Sequence, residues 1–474
     1  MFSRRNFMFG ATAVALAAPH LILRSAAASA SIVRRDVMDM NANDRFFSDY
    51  AKAVQNMHQL SDGRSWLAQA KIHADYCHHG EPEFLHWHRH YLRFFEKICA
   101  DLSGNPDFAL PYWNWSKNSG KLPAPFFDLP ELNVEHWKDP GQYVGKAWGP
   151  VDSVGRRALD KTHGLMSDPA RAGAFTLAKI NGIKRLPSID LFHPALEGEP
   201  HNTAHVVVGA TRPKGGHMGS GLSPLDPIFW LHHCMVDRVW AEWQSTGHDT
   251  PDPQSDYSGQ FVDVDGSAAH AGSTGAMNIS DLNYTYDILQ RPPAAVAGRL
   301  SAEEIKTLSQ VLRPRPAQSV GSGSNSKTSR PNLETAIEVA APGIPAQGSE
   351  FRELESVAGT TGGRRLLAKL SDVVHPEKDD LLVNVFVDCP YLAPSTPASD
   401  PHYAGTFSFF GAAKAMAGMP GMKSQSYVVD ITEPVRQGGF DTDKIRVQLM
   451  PLAASPDGES NSTFQVGKVE ILSV

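Results

Sequence analysis

Near its middle the chain contains the stretch Asp226-Pro227-Ile228-Phe229-Trp230-Leu231-His232-His233-Cys234-Met235-Val236-Asp237. We expect a helix from Pro227 to Trp243 here, and it would carry two adjacent histidines. A second histidine-rich stretch lies upstream, at Phe84-Leu85-His86-Trp87-His88-Arg89-His90-Tyr91-Leu92-Arg93-Phe94-Phe95-Glu96. It belongs to a predicted helix that ends near Leu102, where Ser103-Gly104-Asn105-Pro106 is a strong stop signal. Two such helices indicate a site built from imidazoles on facing helices.

A third group of histidines lies between these stretches. His201 and His205 are four positions apart, so on a helix they project from one face and can hold a single ion. We expect this helix to open at Glu199-Pro200 and to end near Val208. His233 would complete the site from the next helix. Imidazole is a borderline ligand that suits copper, and three neutral nitrogens per ion serve both Cu(I) and Cu(II).

Both histidine-rich stretches resemble the copper-site signatures of tyrosinases and polyphenol oxidases, which are type 3 copper proteins. The stretch from Asp226 fits the second-site signature Asp-Pro-x-Phe-aromatic-x-x-His-x-x-x-Asp, and the upstream stretch matches the first-site signature. The resemblance implies a mainly α catalytic core, an antiparallel four-helix bundle with long loops that holds a dinuclear copper site. It assigns His201, His205 and His233 to one ion and His88 to the other.

The resemblance also places the remaining ligands of the first copper ion. The family has a ligand nine residues before His88, which is His79. The last ligand is His73, which precedes Cys77 in the family's His-x-x-x-Cys pattern; His58 is the alternative, because the loop from His73 to His79 is unusually short. Cys77 either forms a thioether with His79, as in fungal tyrosinases and molluscan haemocyanins, or is an unmodified buried cysteine. Adjacent helix residues point about 100° apart, so the flanking histidines are expected to pack or face solvent: His78, His86, His90 and His232.

Two polar residues near His201 are candidates for proton handling. Glu197 stands where plant family members have a glutamate that orients a water at the coppers. Asn202 stands where related enzymes that hydroxylate monophenols often carry Asn. Together they could polarise a water that takes the proton from an incoming phenol. The alternative for Glu197 is an acid that favours the start of a helix, and Glu199 is a competing candidate.

By resemblance, the expected function is oxidation of o-diphenols to o-quinones with O2 as co-substrate, either alone or after o-hydroxylation of monophenols. The alternatives are a haemocyanin-like oxygen-binding protein and an o-aminophenol oxidase. A single core without tandem repeats argues against an oxygen carrier, and the lack of a His-Glu-x-x-His motif argues against a zinc hydrolase. The expected partners are small phenolic substrates, and the oligomeric state is left open.

Composition agrees with this expectation. The 474 residues have a net charge of −7 and show no basic stripe, which argues against nucleic-acid binding. A hydrophobic content of 41% and a charged content of 20% are typical of an ordinary soluble protein. The 4 cysteines are too few and too scattered for a disulfide scaffold, so no disulfide is expected.

The first thirty residues resemble a targeting segment. Ser3-Arg4-Arg5-Asn6-Phe7-Met8 is close to the twin-arginine export motif, and an apolar stretch follows through Leu23. Small residues then offer Ala-x-Ala cleavage sites between Ala26 and Ala30. The sequence therefore predicts export through the twin-arginine pathway to a periplasmic or secreted location. A short membrane anchor is the alternative, but the apolar stretch is too short to span a bilayer comfortably.

Changes in sequence character divide the chain into an export signal (residues 1–30), a type 3 copper catalytic domain (31–300), a low-complexity linker (301–332) and a small C-terminal domain (333–474). Strand patterns predict that the last is an antiparallel, β-sandwich-like domain. It resembles the C-terminal domain of plant polyphenol oxidases, and in relatives with such a domain one of its side chains plugs the copper cavity. Thr406–Phe410 offers aromatic candidates for such a plug, although these residues could equally belong to a β core. Met416, Met419 and Met422 form a loop that either ferries copper or is simply flexible and apolar.

Overall fold

The structure is a computed structural model that describes residues 32–134, 156–209, 216–290, 317–341, 365–411, 425–437, 444–454 and 458–474. The predicted export signal, the linker up to residue 316 and the methionine-containing loop lie outside these residues. In the part of the chain that is described, no helix combines the length and the apolar character needed to cross a membrane.

The first half of the chain is mainly helical. Its helices are α1 (Arg45–Gln59), α2 (Trp66–Tyr76), α3 (Phe84–Ser103), α4 (Pro125–Asp128), α5 (Leu177–Lys184), α6 (Ile189–Leu196), α7 (Asn202–Gly209) and α8 (Ile228–Ser245). A short parallel pair joins β1 (Ile32–Arg34) to β2 (Tyr284–Tyr286). This arrangement confirms the predicted helical core with long connecting loops.

The helix ends follow from local chemistry. The side chain of Asp44 accepts a hydrogen bond from Phe46 N and begins α1, and Ser65 caps α2 in the same way by accepting from Ala68 N. Helix α3 ends where predicted, because Gly104 adopts φ 74°, a left-handed conformation that glycine reaches at little cost.

The helix that carries His201 begins earlier than predicted. Helix α6 starts at Ile189, continues through a π-helical turn at Glu197–His201 and leads into α7. Pro200 lies inside the π turn instead of opening a helix. The prediction was wrong because a wider turn changes the backbone hydrogen-bond pattern, so a proline there does not have to mark a helix start.

The C-terminal half forms an antiparallel sheet, as predicted. Its strands are β3 (Gln318–Ser324), β4 (Thr328–Ser329), β5 (Thr335–Ala340), β6 (Leu366–Val374), β7 (Leu381–Val387), β8 (Tyr403–Ser408), β9 (Tyr427–Asp430), β10 (Lys444–Ala453) and β11 (Phe464–Ser473), with one short helix, α9 (Thr432–Gln437). The strand order is β8-β7-β10-β5-β3-β11-β6-β9, and β4 pairs with β11. The sheet curls until its two edges meet, since Phe407 on β8 stacks on Tyr427 of β9 at 4.4 Å.

The structure corrects the predicted linker, residues 301–332. Strands β3 and β4 lie in its second part and pair with β11, so residues from Gln318 onward belong to the sheet. Glycines predict flexibility in sequence, but here they allow close packing. A Cβ on Gly321 would lie 2.4 Å from Ala340 O, and one on Gly323 would lie 2.3 Å from Glu338 O. The small residues are therefore compatible with a strand that runs close to β5.

A buried ionic cluster links helices α3 and α8, which carry histidines of the two quoted stretches, to strands β1 and β2. Asp237, the last residue of the opening stretch, accepts hydrogen bonds from Arg89 at 2.6 Å, Tyr284 at 2.5 Å and Tyr286 at 2.6 Å. Arg34 also reaches Asp237, at 3.2 Å. Burial raises the pKa of Asp237, but the two arginines and the tyrosine hydroxyls outweigh it, so the pKa is lowered overall. The charge is fully partnered, as a buried charge must be.

The two halves of the chain share apolar cores. Leu367, Val428 and Leu472 of the C-terminal domain pack within the core of the helical domain. Val206 of α7 clusters with Leu382, Phe410 and Ala454. The sheet therefore packs on the side of the helical core that carries His201 and His205.

Candidate metal centre

The first histidine group comes from α2, α3 and the loop between them. His73, His79 and His88 are buried, and each offers a ring nitrogen within 4.8 Å of the others. The short loop is possible because α2 ends at Tyr76 and Gly80 adopts φ 73°. His58, the alternative to His73, is outside this group and packs against Trp66.

The second group comes from the π turn, α7 and α8. It contains His201, His205 and His233, whose ring nitrogens also lie within 4.8 Å of one another. The two groups touch, because the His88 and His233 rings stack at 4.3 Å with an interplanar angle of 10°. All six predicted ligands are thus brought to one place in the helical core.

His232 is a residue that the sequence analysis set aside. Its ring lies within the second group, stacked on His201 at 5.1 Å, and it is fully buried. Whereas His233 faces His88 of the first group, His232 packs against Trp115 on the other side. Its position beside His233 in the opening stretch was the available signal. Adjacent residues of α8 point about 100° apart, but both His232 and His233 still lie within the second group.

Hydrogen bonds to backbone carbonyls fix three of the rings. The Nδ1–H groups of His73, His88 and His205 donate to Gly221 O, Phe84 O and Met218 O, each at 2.8 Å. A carbonyl only accepts, so Nδ1 carries the proton and Nε2 is left as a potential ligand atom. Partners of this kind orient metal-ligating imidazoles.

The unused ring nitrogens fit a soft or borderline cation. In the described part of the chain, Nε2 of His88 and Nε2 of His201 are buried and have no hydrogen-bond partner. Such orphaned acceptors are costly unless something else satisfies them. Two groups of neutral imidazoles without a carboxylate ligand suit copper better than Mg²⁺ or Ca²⁺. The residues present therefore fit a pair of copper ions.

The electrostatics keep these imidazoles neutral. Burial, followed by the neighbouring histidines, lowers the pKa of His88, His205 and His233 well below the ordinary value. Burial also lowers the pKa of His201 to about 3. Only a neutral imidazole can donate a lone pair to a metal, so the site is ready for ligation at neutral pH.

Cys77 lies beside the first group. Its Sγ is 3.5 Å from Nδ1 of His79, and the residue is buried. This proximity is compatible with a thioether and with an unmodified cysteine, so both remain open. None of the four cysteines forms a disulfide bond within the described residues.

Glu197 is buried between the two halves of the site. Its Oε1 accepts a hydrogen bond from Gly80 N at 2.7 Å, next to His79, and its Oε2 lies 2.7 Å from Nε2 of His193. Glu199, the competing candidate, faces elsewhere: its Oε1 accepts from Thr406 N at 3.0 Å in the C-terminal domain. Glu197 is therefore the acid beside the histidines.

Asn202 contacts both the site and the C-terminal domain. Its Oδ1 accepts a hydrogen bond from Nδ1–H of His201 at 2.8 Å. Its Nδ2 donates to Ser408 O at 3.1 Å. The side chain is fully buried, so the C-terminal domain participates in fixing it.

The end of strand β8 covers the histidines. The Phe410 ring lies parallel to the His205 ring, with centroids 3.8 Å apart and an interplanar angle of 3°. Phe410 also approaches His79 at 5.4 Å and His201 at 6.1 Å. The next residue, Gly411, is so close that a Cβ there would lie 2.8 Å from Nδ1 of His79. Phe410 thus reaches both histidine groups.

Comparisons with known proteins agree with this geometry. Residues 50–246 match the family model described as the common central domain of tyrosinase. The chain is 29% identical over 264 residues to a chloroplastic polyphenol oxidase of Spinacia oleracea, covering 46% of this chain and 40% of that protein. It is 24% identical over 492 residues to Tyrosinase HcTyr1 of Hahella sp. (strain CCB-MM4), covering 92% of this chain and 98% of that one.

Solved structures share the fold across both domains. A recombinantly expressed latent aurone synthase (polyphenol oxidase) superposes with a TM-score of 0.62 at 19% identity, covering 94% of this chain and 90% of that one. A functional unit from octopus hemocyanin gives a TM-score of 0.53 at 18% identity, covering 92% and 99%. The central-domain match thus assigns residues 50–246, which carry both histidine groups, to the tyrosinase family, and the solved structures show that the rest of the described chain shares the two-domain fold of polyphenol oxidases.

Proposed function

We propose that this protein is a copper-dependent oxidase that uses O2 to convert o-diphenols into o-quinones, and that it also converts a monophenol and one O2 into an o-quinone and one water, with one oxygen atom entering the ring at the ortho position. The observation that carries the proposal is the contact between two buried groups of neutral imidazoles. In this proposal one copper ion is held by His73, His79 and His88, and the other by His201, His205 and His233. Bound copper would supply O2 activation and accept electrons from the phenol.

The diphenol reaction balances without a further reductant. Two o-diphenols each lose two electrons and two protons to become o-quinones, and one O2 takes up the four electrons and four protons to give two waters. The protein's part is to orient the phenol, to keep bulk water out and to receive the phenolic proton. Residues next to the histidines must carry out these tasks.

Glu197 and Asn202 are proposed to hold the water that receives this proton. A carboxylate oxygen can accept more than one hydrogen bond, so Glu197 retains acceptor capacity beyond Gly80 N and His193. The Asn202 amide has a second hydrogen besides the one donated to Ser408 O. Both side chains are buried, where the hydrogen bonds that orient a water and pass its proton to the Glu197 carboxylate are stronger than in solvent.

The C-terminal domain is proposed to shield the site, with Phe410 as the plug. Its ring covers His205 at stacking distance and approaches both histidine groups. A phenol ring seeking the same position would compete with it. The sequence offered several phenylalanines in this segment, and the contacts now favour Phe410, since Phe407 and Phe409 belong to the core of the sheet.

An oxygen carrier and an o-aminophenol oxidase are the rival functions, and the likeness to octopus hemocyanin does not separate them because it concerns the fold alone. The test is O2 uptake and quinone absorbance with the copper-loaded full chain and with Phe410→Ala, on catechol, tyrosine and o-aminophenol. Quinone formation from catechol supports the proposal. Reversible oxygenation without product in both proteins would make the chain a carrier, and a rate confined to o-aminophenol would change the substrate class.

Metal content tests the ligand set independently of activity. His73→Ala should reduce copper from about two ions per chain to about one, because the first group loses a third of its donors. His58→Ala is the matched control, since its ring packs on Trp66 outside both groups, and it should retain the full copper content. The opposite result for the two variants would assign the ligand to His58.

Export is also proposed, on the sequence motif alone. The twin-arginine pathway carries folded proteins, which suits a chain that acquires its metal before crossing the membrane. Replacing Arg4 and Arg5 by Lys should leave the uncleaved chain inside the cell. Unchanged export of that variant would point to another route.

A further inference from the structure

A second concave site lies between the two domains, away from the histidines. It is a groove of about 540 Å³. Helices α5 and α6 of the helical core line one side, and strands β6, β8 and β9 with helix α9 line the other. Neither the copper-site histidines nor Phe410 line it, so it is not an extension of the candidate metal centre.

The groove contains an excess of positive charge. Lys179 is paired with Glu199 at 3.2 Å, and Arg436 with Glu433 at 3.0 Å. The remaining charged side chains are two arginines, Arg185 and Arg365, and one carboxylate, that of Asp430. One guanidinium charge is therefore left without a counter-charge among the groove residues.

The carboxylate of Asp430 is already hydrogen-bonded within the protein. Oδ2 of Asp430 accepts from Nη2 of Arg365 at 2.5 Å and from Nε at 3.2 Å. Its Oδ1 accepts from the backbone N and the hydroxyl of Thr432. Asp430 thus has its strongest acceptor positions filled, and it does not reach Arg185 as a hydrogen-bond partner.

Two guanidinium groups are left with donors to offer. Nη1 of Arg365 is buried and has no hydrogen-bond partner among the described residues. The side chain of Arg185 makes no hydrogen bond or ion pair within the described ranges either; it lies close enough to Arg365 for the two charges to repel, and the attraction of Asp430 offsets this repulsion only in part. A buried donor without a hydrogen-bond partner is unfavourable, and the exposed Arg185 charge beside it adds to the attraction for an anion in the groove.

Apolar side chains form the rest of the groove. The core contributes aliphatic residues from α5, from α6 and from the connection between them, and the C-terminal domain contributes others from β6, β9 and α9. They are Ile183, Leu186, Ala195, Leu367, Val428 and Pro434. A few convergent polar groups on mainly apolar walls are typical of small-molecule sites.

We propose that the groove binds a small carboxylate with a short apolar chain. The carboxylate would lie between the guanidinium groups of Arg185 and Arg365, because guanidinium groups match carboxylate geometry. The chain would lie along the aliphatic walls. A ligand with a single negative charge balances the single uncompensated guanidinium, whereas the apolar walls disfavour a more highly charged anion such as phosphate.

This ligand would stabilise the docked arrangement of the two domains. Its contacts come from both walls, and they are lost when the domains separate. A ligand that binds only the docked state stabilises it by RT ln(1 + L/Kd), where L is the free ligand concentration, so the stabilisation grows with the logarithm of ligand concentration. The carboxylate should therefore raise Tm and keep Phe410 over the histidines, in contrast to an agent that releases the shield.

The test uses hexanoate as the probe on the copper-loaded full chain, with hexan-1-ol and inorganic phosphate as comparison ligands. Isothermal titration calorimetry should show saturable hexanoate binding at one site, and a thermal scan should show a higher Tm. Hexan-1-ol lacks the charge and phosphate lacks the chain, so both should bind more weakly. Binding by phosphate alone would overturn the carboxylate assignment.

Two variants locate the binding site. Arg185→Gln removes the unpaired charge from an exposed residue without leaving a partner behind, and it should weaken hexanoate binding about tenfold or more. Gly182→Leu should block the groove, since a Cβ there already lies 3.5 Å from Nη2 of Arg365. Arg156→Gln, at an exposed position outside the groove, is the charge-matched control and should bind like the parent. Equal affinity in all three variants would place hexanoate elsewhere, for example at the copper ions, and would overturn the proposal.

Discussion

Asn202 and Glu197 lie beside the histidines and are proposed to act on a phenol's proton, and Asn202 also orients the His201 ring through a hydrogen bond. A monophenol must lose its proton to reach the copper, so its hydroxylation depends on a nearby base. We expect Asn202→Ala and Glu197→Gln to lower kcat for tyrosine about tenfold or more while lowering kcat for catechol much less. Initial rates on both substrates, normalised to copper content, measure the difference.

The matched control is Glu199→Gln, which makes the same chemical change two positions from Glu197. Glu199 faces Thr406 and Lys179 instead of the histidines, so this variant should leave the ratio of the two rates unchanged. Equal losses on tyrosine and catechol in Glu197→Gln would mean that Glu197 only supports the loop at Gly80.

Asp379 makes the folding stability depend on pH, and it contacts the segment that carries Phe410. Its Oδ2 accepts a hydrogen bond from Gly411 N at 3.1 Å, next to Phe410. Burial raises the pKa of Asp379 from 3.8 to about 7, with a further increase from Asp380, although the Gly411 hydrogen bond opposes it. Between these two pH values the Asp379 carboxyl is ionised in the unfolded chain and protonated in the folded chain. Folding stability therefore falls as pH rises through this window, and the cost is complete above pH 7.

Asp379→Asn removes that cost while keeping an oxygen that can accept from Gly411 N. We expect the variant to raise Tm more at pH 8 than at pH 5, because the parent carboxyl is protonated in the folded state at the lower pH. Paired thermal scans at the two pH values give the measurement. A Tm difference that is independent of pH would show that the folded chain ionises this carboxyl throughout the range.

At the residue scale, the sequence located the ligands better than their surroundings. Fixed spacing within three short stretches was enough to single out His88, His201, His205 and His233 as candidate ligands, because neighbours in a helix have fixed relative directions. It could not reveal that Glu197 supports the loop after His79, since this contact joins residues 117 positions apart. Such long-range contacts depend on how whole helices pack.

The end of β8 lies over the histidines, where it is proposed to limit access to the site. Phe410 contributes to a small apolar cluster with Val206 and Leu382 at the interface, and its ring covers His205. We expect Phe410→Ala to raise kcat/KM for bulky diphenols, since it opens the cavity without removing a ligand. Rates on 4-tert-butylcatechol, compared with those on catechol, measure the change.

Phe409→Ala is the neighbouring control. Phe409 is fully buried in the core of the sheet, where its ring packs on Phe464 at 5.0 Å. Its truncation should cost about 3 to 5 kcal/mol of folding stability without opening the cavity directly. If Phe409→Ala increases the rate as much as Phe410→Ala does, then loosening of the sheet, and not the single ring, controls access.

At the element scale, the errors of the sequence analysis share a cause. Pro200 and the glycines of β3 were interpreted from their local conformational preferences, as a helix start and as a linker. In the structure Pro200 lies within a π turn, and the glycines of β3 lie against the backbone of a neighbouring strand. In both cases tertiary packing overrides a local signal, and a single sequence does not show which neighbour will be present.

At the scale of the whole molecule, the two domains are joined by more than the chain. Lys179 donates to Ala404 O at 2.6 Å and pairs with Glu199, which accepts from Thr406 N. Apolar residues of the C-terminal domain also enter the core of the helical domain. Buried contacts of this kind act together, and they do not depend on a covalent connection between the domains.

Cleavage between the domains should therefore be insufficient to activate the protein. With a protease site inserted in residues 301–316, which the sequence predicts to be a linker, we expect the cut protein to elute as one particle in size-exclusion chromatography. Its activity on bulky diphenols should stay at the level of the intact chain. Activity should rise only after the C-terminal domain is removed in mild urea, because the buried interface holds Phe410 in place.

The control is the uncut protein taken through the same urea step and returned to buffer, with copper content measured on every sample. Activation of the cut protein while it still elutes as one particle would show that the covalent connection, and not the interface, keeps the shield closed. If the separated core retains its copper but is no faster than the intact chain, Phe410 does not limit access. The C-terminal domain would then be a structural cap on the apolar surface that α7 presents at Val206.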